Sequence, residues 1–121
     1  MEDNNIVKIE IRDSEFYDFF RVPPEQVLAK TGYVFIIARK DSEPAAEEFL
    51  FVGSSFDLPR LLKSKQAKAF MELNKATHVL IFRVDPQDEM EMMKEEIIGK
   101  YPRILQDLKV KKASRVPDTF I

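Results

Sequence analysis

Cysteine is absent from the 121 residues, which excludes disulfides, cysteine-zinc sites, iron–sulfur clusters and thiol catalysis. Histidine occurs once, as His78, and one imidazole cannot build a metal site by itself. Of the three glycines, Gly32 and Gly53 are too few and too far apart for a loop that cradles phosphates. No apolar run approaches the ~20 residues of a membrane span. The start, Met1-Glu2-Asp3-Asn4, is acidic where a signal peptide is basic. The expected setting is therefore intracellular and soluble, cytoplasmic or nuclear, with no membrane partner. Net charge is also nearly absent, at −2, which argues against attachment to nucleic acid by bulk charge alone.

What is present is apolar mass: 45% of the residues are hydrophobic and 11% aromatic, enough for one core in one domain spanning residues 1–121. Charge is scarce in sum but sorted along the chain. Residues 60–75 carry Arg60, Lys63, Lys65, Lys68 and Lys75 against Glu72 alone, and residues 100–115 carry six basic residues against Asp107. Residues 85–96 carry Lys94 against six acids. Two basic stretches thus sit in an acidic protein.

The apolar pattern sets the order of elements. Ile6 to Ile11 alternates and reads as a half-buried strand. Asp13-Ser14-Glu15 offers turn or cap chemistry before Phe16, Tyr17, Phe19 and Phe20, an aromatic cluster read as core filling. Pro23-Pro24 then breaks the segment, leaving one or two helical turns before Gly32. Tyr33–Ala38 and Glu48–Val52 form a hairpin ended by Gly53, apolar on both faces and so expected to be central. Leu58, Leu61, Leu62, Ala69, Phe70 and Leu73 recur at helical spacing, with Ser55 or Asp57 as cap and Pro59 in the first turn. Thr77–Val84 is a further buried strand. Asp85 and Pro86 then open a helix that presents Met90, Met93, Ile97 and Tyr101 along one face and ends at Gly99 and Pro102. The expected class is α/β in the α+β sense: a three- to four-stranded, mainly antiparallel sheet flanked by helices, with an N-terminal extension (1–30), a core (31–105) and a basic tail (106–121).

Other local chemistry is sparse. His78 reads as a structural or edge histidine. Ser54 and Ser55 have no base beside them in sequence. Met90, Met92 and Met93 read as helix core and its margin, and the acids around Asp88 as a helix start favoured by its dipole, without calcium-loop spacing.

Gly32-Tyr33-Val34 opens the first hairpin strand. Phe51-Val52-Gly53-Ser54-Ser55 with Asp57-Leu58 lies at the second strand's exit, and Glu95-Glu96-Ile97-Ile98 with Pro102 lies in the last helix. Over about residues 31–105 this resembles the GIY-YIG nuclease superfamily, and the resemblance implies a β-β-α-β-α core. It also implies a tyrosine hydroxyl that helps to activate water, a helix arginine that stabilises phosphoryl charge, a glutamate that holds a divalent metal, and basic residues along the nucleic acid. The family positions for the two tyrosines fall on Val34 and Phe51, that for the arginine on Leu61, and that for the glutamate on Lys94. The neighbours that carry the right chemistry are Tyr33 and Arg60 as catalytic candidates and Glu95 as the metal candidate. Nucleic-acid contacts are assigned to Arg60, Lys63, Lys68, Lys109, Lys111, Lys112 and Arg115. The resulting expectation is a catalytically impaired GIY-YIG-like domain that contacts DNA or RNA. A non-enzymatic protein-interaction or regulatory domain is the alternative, and an active metal-dependent endonuclease a third reading. No cofactor is expected; magnesium or manganese would enter only with activity.

Overall fold

The computed structural model describes residues 5–12, 14–40, 47–84, 86–106 and 108. Its strands are β1 (Ile6–Arg12), β2 (Glu15–Val22), β3 (Tyr33–Arg39), β4 (Glu48–Ser55) and β5 (His78–Arg83). Its helices are α1 (Leu58–Leu62), α2 (Lys65–Leu73) and α3 (Gln87–Lys100), and Pro24–Gln26 makes one 3₁₀ turn. The five strands form one antiparallel sheet in the order β1-β2-β5-β3-β4. The class is α+β, as expected, but the sheet has five strands rather than three or four.

The difference comes from β2. Phe16, Tyr17, Phe19 and Phe20 alternate along a strand that pairs with both β1 and β5, so only one face of the aromatic run reaches the core. Phe19 is fully buried, whereas Phe16 and Phe20 are each 55% exposed. The reading of all four as core filling is thus corrected: period-2 geometry sends adjacent residues to opposite faces. Residues 6–22 supply two of the five strands, and β1 forms an edge.

Alternation along β3 divides the interior in two. Val34, Ile36 and Ala38 join Ile9, Phe19, Val52, Leu80, Met90, Met93 and Ile97 in the layer under α3. Phe35 and Ile37 join Phe51, Leu58, Leu62, Phe70 and Val79 in the layer under α1 and α2. β3 is central, as expected of a strand apolar on both sides. β4 lies at the end of the strand order, contrary to expectation. Its outer edge is nevertheless partnered by Leu105, whose carbonyl accepts from the Val52 N–H at 3.0 Å and whose N–H donates to the Leu50 carbonyl at 3.0 Å.

The single helix expected from the spacing of Leu58 to Leu73 is two, α1 and α2. Asp57 caps α1 by accepting from the Arg60 N–H, and Ser55 Oγ accepts from the Asp57 N–H at 3.0 Å. Ser64 then interrupts the run. Its Oγ donates to the Leu61 carbonyl at 2.7 Å and accepts from the Ala67 N–H at 3.1 Å, so that it closes one helix and caps the next. The break resets the helical phase. Leu58, Leu62 and Phe70 stay buried, Leu61 is only half-buried, and Ala69 and Leu73 are exposed. α3 buries Met90, Met93 and Ile97 as its spacing requires. Pro86 stands at its N-cap position, and Asp85, the expected cap, lies outside the described residues.

Gly53 does not make a turn. It lies inside β4 at a negative φ, and a Cβ there would stand 2.8 Å from the Phe51 ring and 3.0 Å from the Phe35 ring. Gly32 answers to a similar constraint, because a Cβ would come within 2.1 Å of the Val84 carbonyl oxygen. Close packing rather than backbone conformation requires both glycines of the motif. Among the described residues no helix is long and apolar enough to cross a membrane.

Candidate functional site

Tyr33 starts β3 on the side of Phe35 and Ile37, half-buried against the layer under α1 and α2. Val34 points the other way and is fully buried. Phe51 packs between the Phe35 and Phe70 rings, at centroid distances of 5.7 and 5.8 Å. Arg60 is exposed on α1, on the same side of the sheet as Tyr33. Glu95 is exposed on α3, which covers the opposite side. The sheet therefore brings Tyr33 and Arg60 to one layer and separates both from Glu95. Beside Glu95, Lys94 pairs with Glu91 at 3.3 Å. Among the described residues no group of three His, Asp or Glu side chains could hold a metal ion. The surroundings of Glu95 do not fit a divalent cation.

The α1–α2 layer presents a different kind of surface. Lys30, Asp57, Pro59, Arg60, Lys63 and Ser64 line a cleft of about 530 Å³. It adjoins a depression between the 3₁₀ turn and the two helices, lined by the apolar Pro24, Val27, Leu62 and Met71 and by Lys63, Lys68 and the exposed acid Glu25. Lys30, Arg60, Lys63, Lys65 and Lys68 are all exposed, and none of them forms an ion pair among the described residues. The acid in the cleft, Asp57, spends one oxygen on its helix cap. Across the sheet, α3 exposes Asp88, Glu89, Glu91 and Glu95. The two helical layers thus carry opposite charge, with the cations on the concave one. Lys30 was not legible as a site residue because it lies in an irregular segment with no period to aim it. Lys109, Lys111, Lys112 and Arg115 lie outside the described residues.

A second polar cluster ties the other end of the sheet together. The Glu47 carboxylate receives Arg21 Nε at 3.0 Å and Nη2 at 3.1 Å, and it meets His78 Nε2 as well. His78 Nδ1 lies 2.7 Å from Thr77 Oγ1, which also accepts from the Lys40 N–H at 3.1 Å. Burial by itself would raise the Glu47 pKa, but the hydrogen bonds and positive charge of Arg21 and His78 outweigh it and hold the carboxyl below its ordinary range. His78 is thus a buried structural histidine, only 8% exposed. Its carboxylate partner comes from 31 residues away in sequence, so no local pattern announces it. Comparison with protein-family models, curated proteins and solved structures gives no match.

Proposed function

We propose that this chain is a divergent GIY-YIG-like domain that holds a nucleic-acid backbone on its α1–α2 layer without cutting it. One observation carries the reading: Lys30, Arg60, Lys63 and Lys68 are exposed around two adjoining concavities that share Pro59 and Lys63, and none of the four forms an ion pair among the described residues, although Asp57 and Glu25 also line this surface. Unpaired cations on a concave surface attract a polyanion, and α3 with its acids is turned to the other side, where it does not oppose the approach. The order hairpin, helical segment, strand, helix from Tyr33 to Lys100 is in keeping with the resemblance.

The test is titration of single-stranded and duplex oligonucleotides across a series of salt concentrations. Affinity should fall steeply with salt, and Arg60→Ala, Lys63→Ala and Lys68→Ala should each lower the slope of log K against log salt by about 1. Salt-independent binding, or a slope indifferent to all three substitutions, would count against the proposal. A protein-interaction module is the second reading. It is favoured by Phe16 and Phe20, which stand exposed on the half of the sheet that α1 and α2 leave uncovered.

A further inference from the structure

The two edges of the sheet are treated differently. β4 has the middle of its outer edge covered by Leu105, through two backbone hydrogen bonds, whereas the outer edge of β1 receives no backbone hydrogen bond among the described residues. A seven-residue strand left open in this way is a template for another strand. Its own side chains say which one. Val7, Ile9 and Ile11 face the layer under α3, with Ile9 and Ile11 buried. On the other face Lys8 and Glu10, two residues apart, flank Ile9 symmetrically, opposite Asp18 and Phe16 of β2. We propose that β1 pairs antiparallel with β1 of a second copy about a two-fold axis at Ile9, joining the two sheets into one of ten strands.

That register sets Lys8 of each copy opposite Glu10 of the other and Ile9 opposite Ile9, within the stretch Ile6 to Glu10 where β1 is regular; the register shift between Glu10 and Arg12 leaves Ile11 outside that stretch. Both seams are matched, ionic on one face and apolar on the other. Moving the axis by two residues, to Val7 or Ile11, would break the charge match. Moving it by one residue, to Lys8 or Glu10, would set like charges against each other. At present Lys8 meets Asp18 at 3.0 Å, while Glu10 meets Lys100 at 3.5 Å and accepts from the Ser14 N–H at 3.2 Å. All of these groups are exposed or half-buried, so the carboxylate can receive a second cation. An axis normal to the sheet also keeps like faces together, and both basic concavities would open on the same side of the assembly.

The experiment is sedimentation equilibrium of the full chain from low to high micromolar concentration, for wild type, Lys8→Glu, Glu10→Lys and the double exchange, with circular-dichroism melts as the folding control. Wild type should dimerise, each single reversal should weaken the dimer about tenfold or more, and the double exchange should restore it, because two cross-strand pairs change sign and then change back. A wild-type monomer at every concentration would overturn the proposal, as would a dimer unmoved by the single reversals or not restored by the double exchange. None of these outcomes depends on nucleic-acid binding.

Discussion

At the residue scale the strongest constraint is Glu47. A carboxylate 11% exposed, clamped by a bidentate arginine and a histidine, holds together the start of β5, the entry to β4 and the end of β2. Removing one partner of such a cluster costs far more than the cluster contributes, because the remaining charges stay buried. Glu47→Gln should therefore lower stability by about 2 to 3 kcal/mol at neutral pH. The sign of the pH dependence follows from the depressed carboxyl. Its stabilisation is complete above the ordinary carboxylate range and fades as pH falls through the lower folded-state value. Thermal midpoints between neutral and acidic pH should drop more steeply for wild type than for Glu47→Gln, and parallel curves would show that the carboxylate is not the titrating contributor. The histidine that begins this cluster was visible in the sequence. Its glutamate and arginine were not, since only strand pairing brings positions 21, 47 and 78 together.

Among the elements, the junction between α1 and α2 shows how one hydroxyl redirects a helical pattern. The apolar residues from Leu58 to Leu73 fit a single stripe on paper, yet Ser64 satisfies the Leu61 carbonyl behind it and the Ala67 N–H ahead of it. A side chain that competes for backbone groups in this way favours a cap over a helix interior. Ser64→Ala should cost about 1 kcal/mol in a denaturant unfolding experiment through the lost cap. No loss would mean that the two helices merge without penalty. Leu61, where the resemblance would place an arginine, is half-buried beside this break. Arg60, Lys63 and Lys68 lie around the two adjoining concavities of this layer.

At the scale of the whole molecule, the five-stranded sheet acts as a partition. Tyr33 and Arg60 stand on one side and Glu95 on the other, with Val34, Ile36 and Leu80 fully buried on the α3 side. Phosphodiester cleavage of the implied kind needs the hydroxyl, the cation and the metal around one phosphate, and a layer of packed aliphatic side chains prevents that meeting. With magnesium or manganese, wild type should therefore cut plasmid, branched or single-stranded DNA at background rates, and Tyr33→Phe, Arg60→Ala and Glu95→Gln should leave that rate unchanged. Metal-dependent cleavage lost in all three folded variants would reverse this conclusion. The partition also sorts charge, with a basic surface on α1 and α2 and an acidic one on α3.

The sequence by itself determined the local patterns: alternation in β1, the apolar runs of β3, β4 and β5, helical spacing around Leu58 and Met90, and a cap at Ser55 or Asp57. These depend on backbone geometry within a few residues, and a pattern of apolar side chains reports them directly. Only the tertiary structure decided which strands neighbour which, that the aromatic run of β2 divides between core and solvent, and that Gly53 answers to two rings above it. It alone brought Lys30 to the cleft of Arg60 and Glu47 to Arg21 and His78. Those outcomes rest on contacts between residues far apart in the chain, whose free energies of burial and pairing exceed local preference and carry no signature at either position taken alone.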